Sequence, residues 1–146
     1  PQRPVAPSAP TVRYLDTPAA TDAFLGGLTG VRDLALDTEG ASFHRFVDRV
    51  YLLQLTARDP RGGEDVHAIV DPLTGGAMAA LGRLVEDPAV EVVFHDADYD
   101  LRLLHQDYGW RATRLFDTRV AAQLLGIKAF GLAALLEREF GVRLDK

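Results

Sequence analysis

The chain has 146 residues, 47% hydrophobic and 25% charged, with a net charge of −5 and no cysteine. This length and apolar fraction suit one domain with a real core, while the missing cysteines exclude a disulfide framework and a thiolate metal site. The acidic balance excludes a nucleic-acid binder that works by bulk basicity; no apolar run reaches the roughly 20 residues of a membrane-spanning helix, no signal peptide is visible, and a cytoplasmic protein with no membrane partner is expected.

Pro1, Pro4, Pro7 and Pro10 are evenly spaced, so residues 1–12 are predicted to be a poorly ordered arm and 13–146 the folded domain. Thr17 and Pro18 open a short helix that Gly26-Gly27 closes. Val31 to Glu39, Arg49 to Ala57 and Val66 to Val70 read as three strands on short links, an antiparallel meander. Met78, Leu81, Leu84 and Val85 then recur at helical spacing, and Val90 to Phe94 is a further short strand. A helix from Tyr99 to Tyr108 follows, then a small strand at Leu115-Phe116, a helix from Asp117 or Thr118 to Gly126, and a last helix from Leu132 to Phe140. The helix from Met78 fits a crossover to a parallel strand. The expected class is α/β: an antiparallel three-strand meander plus a parallel strand, flanked by helices.

The first strand ends in Leu36-Asp37-Thr38-Glu39-Gly40. Side chains alternate along a strand, so Asp37 and Glu39 share a face. Two converging acids are unfavourable without a cation between them, and a divalent metal is the simplest candidate because hard cations prefer carboxylate oxygen. Two readings stand here, a metal site or a polar strand end with solvated acids. A second concentration of charge follows the short strand in Phe94-His95-Asp96-Ala97-Asp98-Tyr99-Asp100. Asp96 or Asp98 can cap the next helix, with Asp100 in its first turn. Capping explains one or two of these acids. If the short strand lies beside the first, Asp100 approaches Asp37 and Glu39, and three carboxylates share a pocket of the kind that holds two divalent ions.

These segments resemble a known family. Leu36-Asp37-Thr38-Glu39, Tyr51-Leu52-Leu53-Gln54-Leu55, His95-Asp96-Ala97-Asp98-Tyr99-Asp100-Leu101 and Leu115-Phe116-Asp117-Thr118 occur in the order found in the ribonuclease D branch of the DEDD 3′–5′ exonucleases, and the resemblance runs from about Thr11 onward. It implies a ribonuclease-H-like fold, catalytic and metal-binding roles for Asp37, Glu39 and Asp100, and two divalent cations, Mg²⁺ or Mn²⁺. The implied substrate is a single-stranded 3′ end of RNA (tRNA precursor-like) or DNA, released as nucleoside 5′-monophosphates. The family's third motif, a Tyr followed four residues later by an Asp, is missing from these 146 residues. The domain is therefore expected to be incomplete at its C-terminal side, and this chain alone inactive or nearly so.

Other residues have two readings each. Phe43 could stack on a base and Arg45 touch phosphate, with His44 between them close to the proposed ions; equally, this stretch is a hairpin loop with one buried aromatic. His95 is either a core or supporting residue or a contact to the terminal nucleotide. Gln54 is expected to make a structural hydrogen bond, Asp117 to be an N-cap, and Trp110 to pack. Arg102, Arg111, Arg114, Arg119 and Lys128 are either scattered surface charges or a basic path. Rival functions are a non-catalytic nucleic-acid-binding module on the same fold, or another metal-dependent phosphoryl enzyme that cuts internally. Nothing in the sequence sets an oligomeric state.

Overall fold

The structure is a computed structural model that describes residues 10–41, 47–74, 76 and 78–144. The elements are β1 (Val12–Leu15), α1 (Pro18–Gly26), β2 (Asp33–Gly40), β3 (Val50–Ala57), β4 (Val66–Val70), α2 (Ala79–Glu86), β5 (Glu91–Phe94), α3 (Asp98–Tyr108), β6 (Leu115–Asp117), α4 (Thr118–Leu124) and α5 (Leu132–Phe140). They build one six-stranded sheet in the order β1-β4-β3-β2-β5-β6. β2, β3 and β4 form the expected antiparallel meander. The chain then crosses through α2 to β5, which lies parallel to β2 on its other side, and β6 continues the parallel half beside β5. This is the mixed sheet that the sequence pattern and the resemblance both implied.

One strand was not foreseen. β1 pairs in parallel with β4 at the far edge, Val12 against His67 and Leu15 against Val70. Three of its four residues are exposed and only Leu15 is buried, so it lacks the alternation that marks a strand in sequence. Its pairing with β4 makes it a strand, and Val12, assigned to the arm by its neighbours, opens it.

Alternation on the inner strands decides which face is covered. Leu34, Leu36, Leu53, Leu55, Ala68, Val70, Val92 and Phe94 point to one side and are buried. That side packs on α1 through Phe24 and Leu25, on α2 through Leu81 and Val85, and on α3 through Leu103 and Leu104, in one continuous core. Ala35, Asp37, Glu39 and Gln54 point to the other side and are exposed. Among the described residues no helix is long and apolar enough to cross a membrane.

Local signals hold at the helix ends. The Thr17 side chain accepts from the Ala20 N–H at 3.3 Å, Pro18 follows it at the first helical position, and Gly109 closes α3 in the left-handed conformation with φ 74°. Trp110 is a packing residue, as expected. It stacks on Tyr108 with ring centroids 4.6 Å apart and covers Gly82 in α2. A methyl group at Gly82 would lie 2.7 Å from Trp110 Cε2, which explains a glycine inside a helix where it otherwise weakens the element. Gly82→Ala is expected to lower the unfolding free energy by about 1–3 kcal/mol and to change the emission of the single tryptophan. Denaturant titration followed by fluorescence checks this, and unchanged stability with unchanged emission would refute the packing.

Candidate active site

β2 pairs with β3 along its length but with β5 only from Asp33 to Ala35. Beyond Ala35 its β5-side edge has no strand partner. The reason lies in β5, which ends at Phe94. The chain then turns through His95 and through Asp96, whose φ of 65° is a left-handed value that Asp tolerates better than most residues, and enters α3. Asp100, in the first turn of α3, meets the bare edge. The Thr38 N–H donates to Asp100 Oδ1 at 2.9 Å, and the Thr38 hydroxyl donates to the same oxygen at 2.6 Å. A backbone donor that the sheet leaves open is thus satisfied by a carboxylate from the crossover. Both residues are buried.

Asp37 and Glu39 flank Thr38 and point to the open face. The carboxyl of Asp37 is held above the usual carboxylate range. Partial loss of hydration is the largest cause, although the residue is exposed overall; the negative charge of Asp100 comes next, then that of Glu39, against a lowering hydrogen bond from the Thr38 backbone. Asp100 therefore reaches the β2 edge from the covered side of the sheet, yet its charge acts on Asp37 more strongly than that of Glu39, the neighbour on the same strand face. Asp100 and Glu39 are thus each near enough to Asp37 for their charges to act on it. Their chemistry fits a hard divalent cation, since ionised carboxylates offer only oxygen acceptors. Among the described residues no three of His, Asp and Glu are grouped closely enough to hold an ion by themselves, so the acids approach one another without closing a cage. Asp37, Glu39 and Asp100 are the residues that could hold metal here.

α3 also fixes the neighbouring β2–β3 connection. The Tyr99 hydroxyl donates to both carboxylate oxygens of Asp48, at 3.0 and 2.8 Å, and Asp48 Oδ1 accepts from the Ala41 N–H at 3.1 Å. Gln106 donates to the Asp48 carbonyl at 2.7 Å, and Asp107 accepts from the Val50 N–H at 2.7 Å. Gly40 has no room for a side chain, because a methyl group there would lie 2.9 Å from Asp48 Oδ1 and 3.0 Å from Leu103 Cδ1. Both ends of the connection are tied to the helix that carries Asp100. Phe43, His44 and Arg45 lie within this connection, outside the described residues.

His95 and Asp117 join β5 to β6 and α4. The Thr118 hydroxyl donates to the Phe94 carbonyl at 3.2 Å and lies 2.8 Å from His95 Nδ1. With its proton so engaged, that hydroxyl accepts from Nδ1–H, a tautomer assigned from the network. His95 is half-buried and sits in a structural joint, the core or supporting reading. The expected capping of α3 by Asp96 or Asp98 is not seen, for α3 has Ala97 at its N-cap with no side-chain bond from that residue. Asp117 supplies it from across the sheet, accepting from Asp96 N–H at 3.0 Å and Ala97 N–H at 2.8 Å while also capping α4 through Arg119 and Val120. Burial tends to raise the Asp117 carboxyl, but its four backbone N–H bonds outweigh this and hold it below the usual range.

One further expectation is corrected. The Gln54 side chain makes no hydrogen bond to another described residue. It stands exposed on the open face, directly across from Asp37, because an inner strand has one polar side when that face is uncovered. Of the basic residues, Arg102 pairs with Asp98 at 3.0 Å, Arg114 with Glu91 at 3.1 Å, and Arg119 with Asp96, in keeping with scattered surface charges. The groove that reaches Asp37 runs along the open face past Ala35, Gln54, Thr56 and Ile69. Thr38, Asp48 and Tyr99 were not singled out from sequence. Thr38 did carry a signal, being a polar residue at a strand position whose neighbours Leu34 and Leu36 face the core.

Comparison with known proteins agrees with this geometry. Residues 12–146 match the family model for a 3′-5′ exonuclease. Exosome complex component 10 of Rattus norvegicus is 36% identical over 120 residues, which is 82% of this chain and 13% of that protein. A ribonuclease D of Acidiphilium cryptum is 32% identical over 142 residues, 97% of this chain and 35% of that protein. The catalytic core of RRP6 from Trypanosoma brucei superposes with a TM-score of 0.84 at 27% identity, covering 97% of this chain and 38% of that one. The chain belongs to the 3′–5′ exonuclease family, in its ribonuclease D-like DEDD branch, and its fold is ribonuclease-H-like. It spans between an eighth and two fifths of the length of these relatives.

Two stability measurements test the site's electrostatics. Asp117→Ala removes four backbone contacts and is expected to cost about 1–2 kcal/mol. Because the folded carboxyl is held low, its contribution is present above the ordinary Asp value of about 3.9 and fades as pH falls below it; a deficit that stays constant down to pH 2 would contradict the assignment. Asp37 has the opposite sign. Its folded carboxyl is held high, so ionisation works against the fold as pH rises through the carboxylate range. Asp37→Asn is therefore expected to melt at an equal or higher temperature than the natural chain at neutral pH in a chelator, and a lower Tm would show that Asp37 is not crowded by like charge.

Proposed function

We propose that this chain is the catalytic domain of a 3′–5′ exonuclease that acts on single-stranded RNA 3′ ends and, as a second substrate class, DNA. The single observation that carries the reading is the anchoring of Asp100 on Thr38, 62 residues earlier in the chain, which brings it to the strand edge that carries Asp37 and Glu39. The ribonuclease D and exosome relatives support the same reading. Asp37, Glu39 and Asp100 would hold two divalent cations, Mg²⁺ or Mn²⁺. Bound there, such ions supply a water of lowered pKa and positive charge beside the leaving oxygen.

The chain's own part is positional. The open face of the sheet leaves Asp37 and Glu39 accessible, so a terminal phosphodiester can approach along the groove past Gln54. The acids orient the attacking water on phosphorus as acceptors. The P–O3′ bond breaks, the water oxygen stays on phosphorus, and the product is a nucleoside 5′-monophosphate. The shortened strand keeps a 3′-hydroxyl after its oxygen takes up a proton. Phe43, His44 and Arg45 are the residues proposed to meet the terminal nucleotide, with tRNA precursor-like 3′ ends as the first substrate to try.

One observation favours a second reading. Among the described residues no three of His, Asp and Glu are grouped closely enough to hold an ion by themselves, and a non-catalytic binding module on this fold is the alternative. The discriminating experiment is single-turnover degradation of 5′-labelled RNA with Mg²⁺ or Mn²⁺, run on this chain and on the full product of its reading frame. Stepwise shortening by the full product, near-absence of cleavage by the 146-residue chain, and loss of activity in Asp37→Asn are expected. Internal cuts would point to an endonuclease, and near-normal turnover of Asp37→Asn would remove that residue from the mechanism.

A further inference from the structure

We infer that Thr38 is a positioning residue that commits one oxygen of Asp100 to the sheet edge and leaves the other for the cation, an inference that rests on the metal reading above. Three observations carry it. Thr38 is polar yet faces the covered side of β2, between Leu36 and the bend at Gly40, where its strand neighbours are buried leucines. Its exposure is 7% and that of Asp100 is 6%, so both groups are largely shielded from solvent. Its hydroxyl and its backbone N–H, at 2.6 and 2.9 Å, converge on the same atom, Asp100 Oδ1.

Two donors on one oxygen constrain the carboxylate in a way that one cannot. The terminal torsion of Asp is broad and roughly two-fold, so a single hydrogen bond lets the group turn about that contact. The hydroxyl and the amide reach Oδ1 from different directions, and Thr is stiff at χ1 because its Cβ is branched. Hydrogen bonds to an ionised acceptor are also the stronger kind. Oδ1 is thereby occupied, and Oδ2 is the Asp100 oxygen left to a cation approaching the Asp37 side of the edge. Asp100 would act as a ligand through one oxygen with its orientation set in advance. Groups that support a ligand in this way commonly change metal affinity by about 10–100-fold when removed.

The test compares Thr38→Val, which keeps the shape and the amide but loses the hydroxyl, with Thr38→Ser, which restores it. Mn²⁺ binding to the full product of the reading frame, natural and variant, is titrated by calorimetry and by the loss of the free-ion EPR signal. Thr38→Val is expected to weaken binding about tenfold or more, with Thr38→Ser close to the natural chain and circular dichroism unchanged for both. Equal Mn²⁺ affinity in natural and Thr38→Val chains overturns the inference, as does a Ser variant as weak as Val. Asp37→Asn and Asp100→Asn, titrated alongside, separate the two layers. If they weaken Mn²⁺ binding and Thr38→Val does not, only the role of Thr38 falls. If the natural chain binds no Mn²⁺, the metal reading falls and takes this inference with it. A metal-free readout tests the contact itself: the Thr38 amide proton should shift upfield in Asp100→Asn, and an unmoved resonance would overturn the inference without reference to any ion.

Discussion

The bare edge of β2 beyond Ala35 is the constraint on which the site depends. A mixed sheet in which β5 stops short leaves a backbone N–H pointing at nothing, and a buried donor without a partner is destabilising by about 1–3 kcal/mol. α3 answers it with the Asp100 carboxylate. That contact places a negative charge beside Asp37 and Glu39, an arrangement that burial and like charge both disfavour. The fold therefore satisfies one polar group by bringing its charge close to Asp37, whose own carboxyl is held above the usual range.

α3 is the organiser of this region because it serves three neighbours at once. Its first turn reaches β2 through Asp100 and the β2–β3 connection through Tyr99, and its last turns hold that connection again through Gln106 and Asp107. Its buried side, Leu103 and Leu104, belongs to the core. The helix that carries Asp100 thus also holds both described ends of the β2–β3 connection, at Ala41 through Asp48 and at Val50. Asp117 plays the complementary part at the other end of the crossover. One carboxylate caps α4 and binds the two backbone N–H groups that lead into α3, which fixes the angle at which α3 leaves β5.

Much of this was legible before folding. Elements with a strong period, such as β3, β4 and α2, fell where their apolar spacing put them, and caps such as Thr17-Pro18 and Asp117 followed from local chemistry. The pairing of Asp37 with Glu39 was readable because strand alternation is a local rule. β1 was not readable, since three of its four residues are exposed and its identity comes from β4. Gln54 was misjudged for a related reason: an inner strand looks buried on both sides in sequence, and only the sheet's open face shows otherwise. The cap of α3 was misassigned because the residue that supplies it lies 20 positions further along the chain.

The sequence by itself determined the alphabet of the site: which residues are acids, which strand ends they occupy, and which family of folds carries such an order. These follow from periodicity and local hydrogen-bonding chemistry, which act over a few residues. The tertiary structure alone decided that β5 would pair with β2 only as far as Ala35, that Asp100 would fill the gap on Thr38, and that Asp37 and Glu39 would stand on the sheet face opposite the described core. Those outcomes depend on contacts between segments some 60 residues apart, set by strand register and by the angle of a helix, quantities that no local pattern encodes.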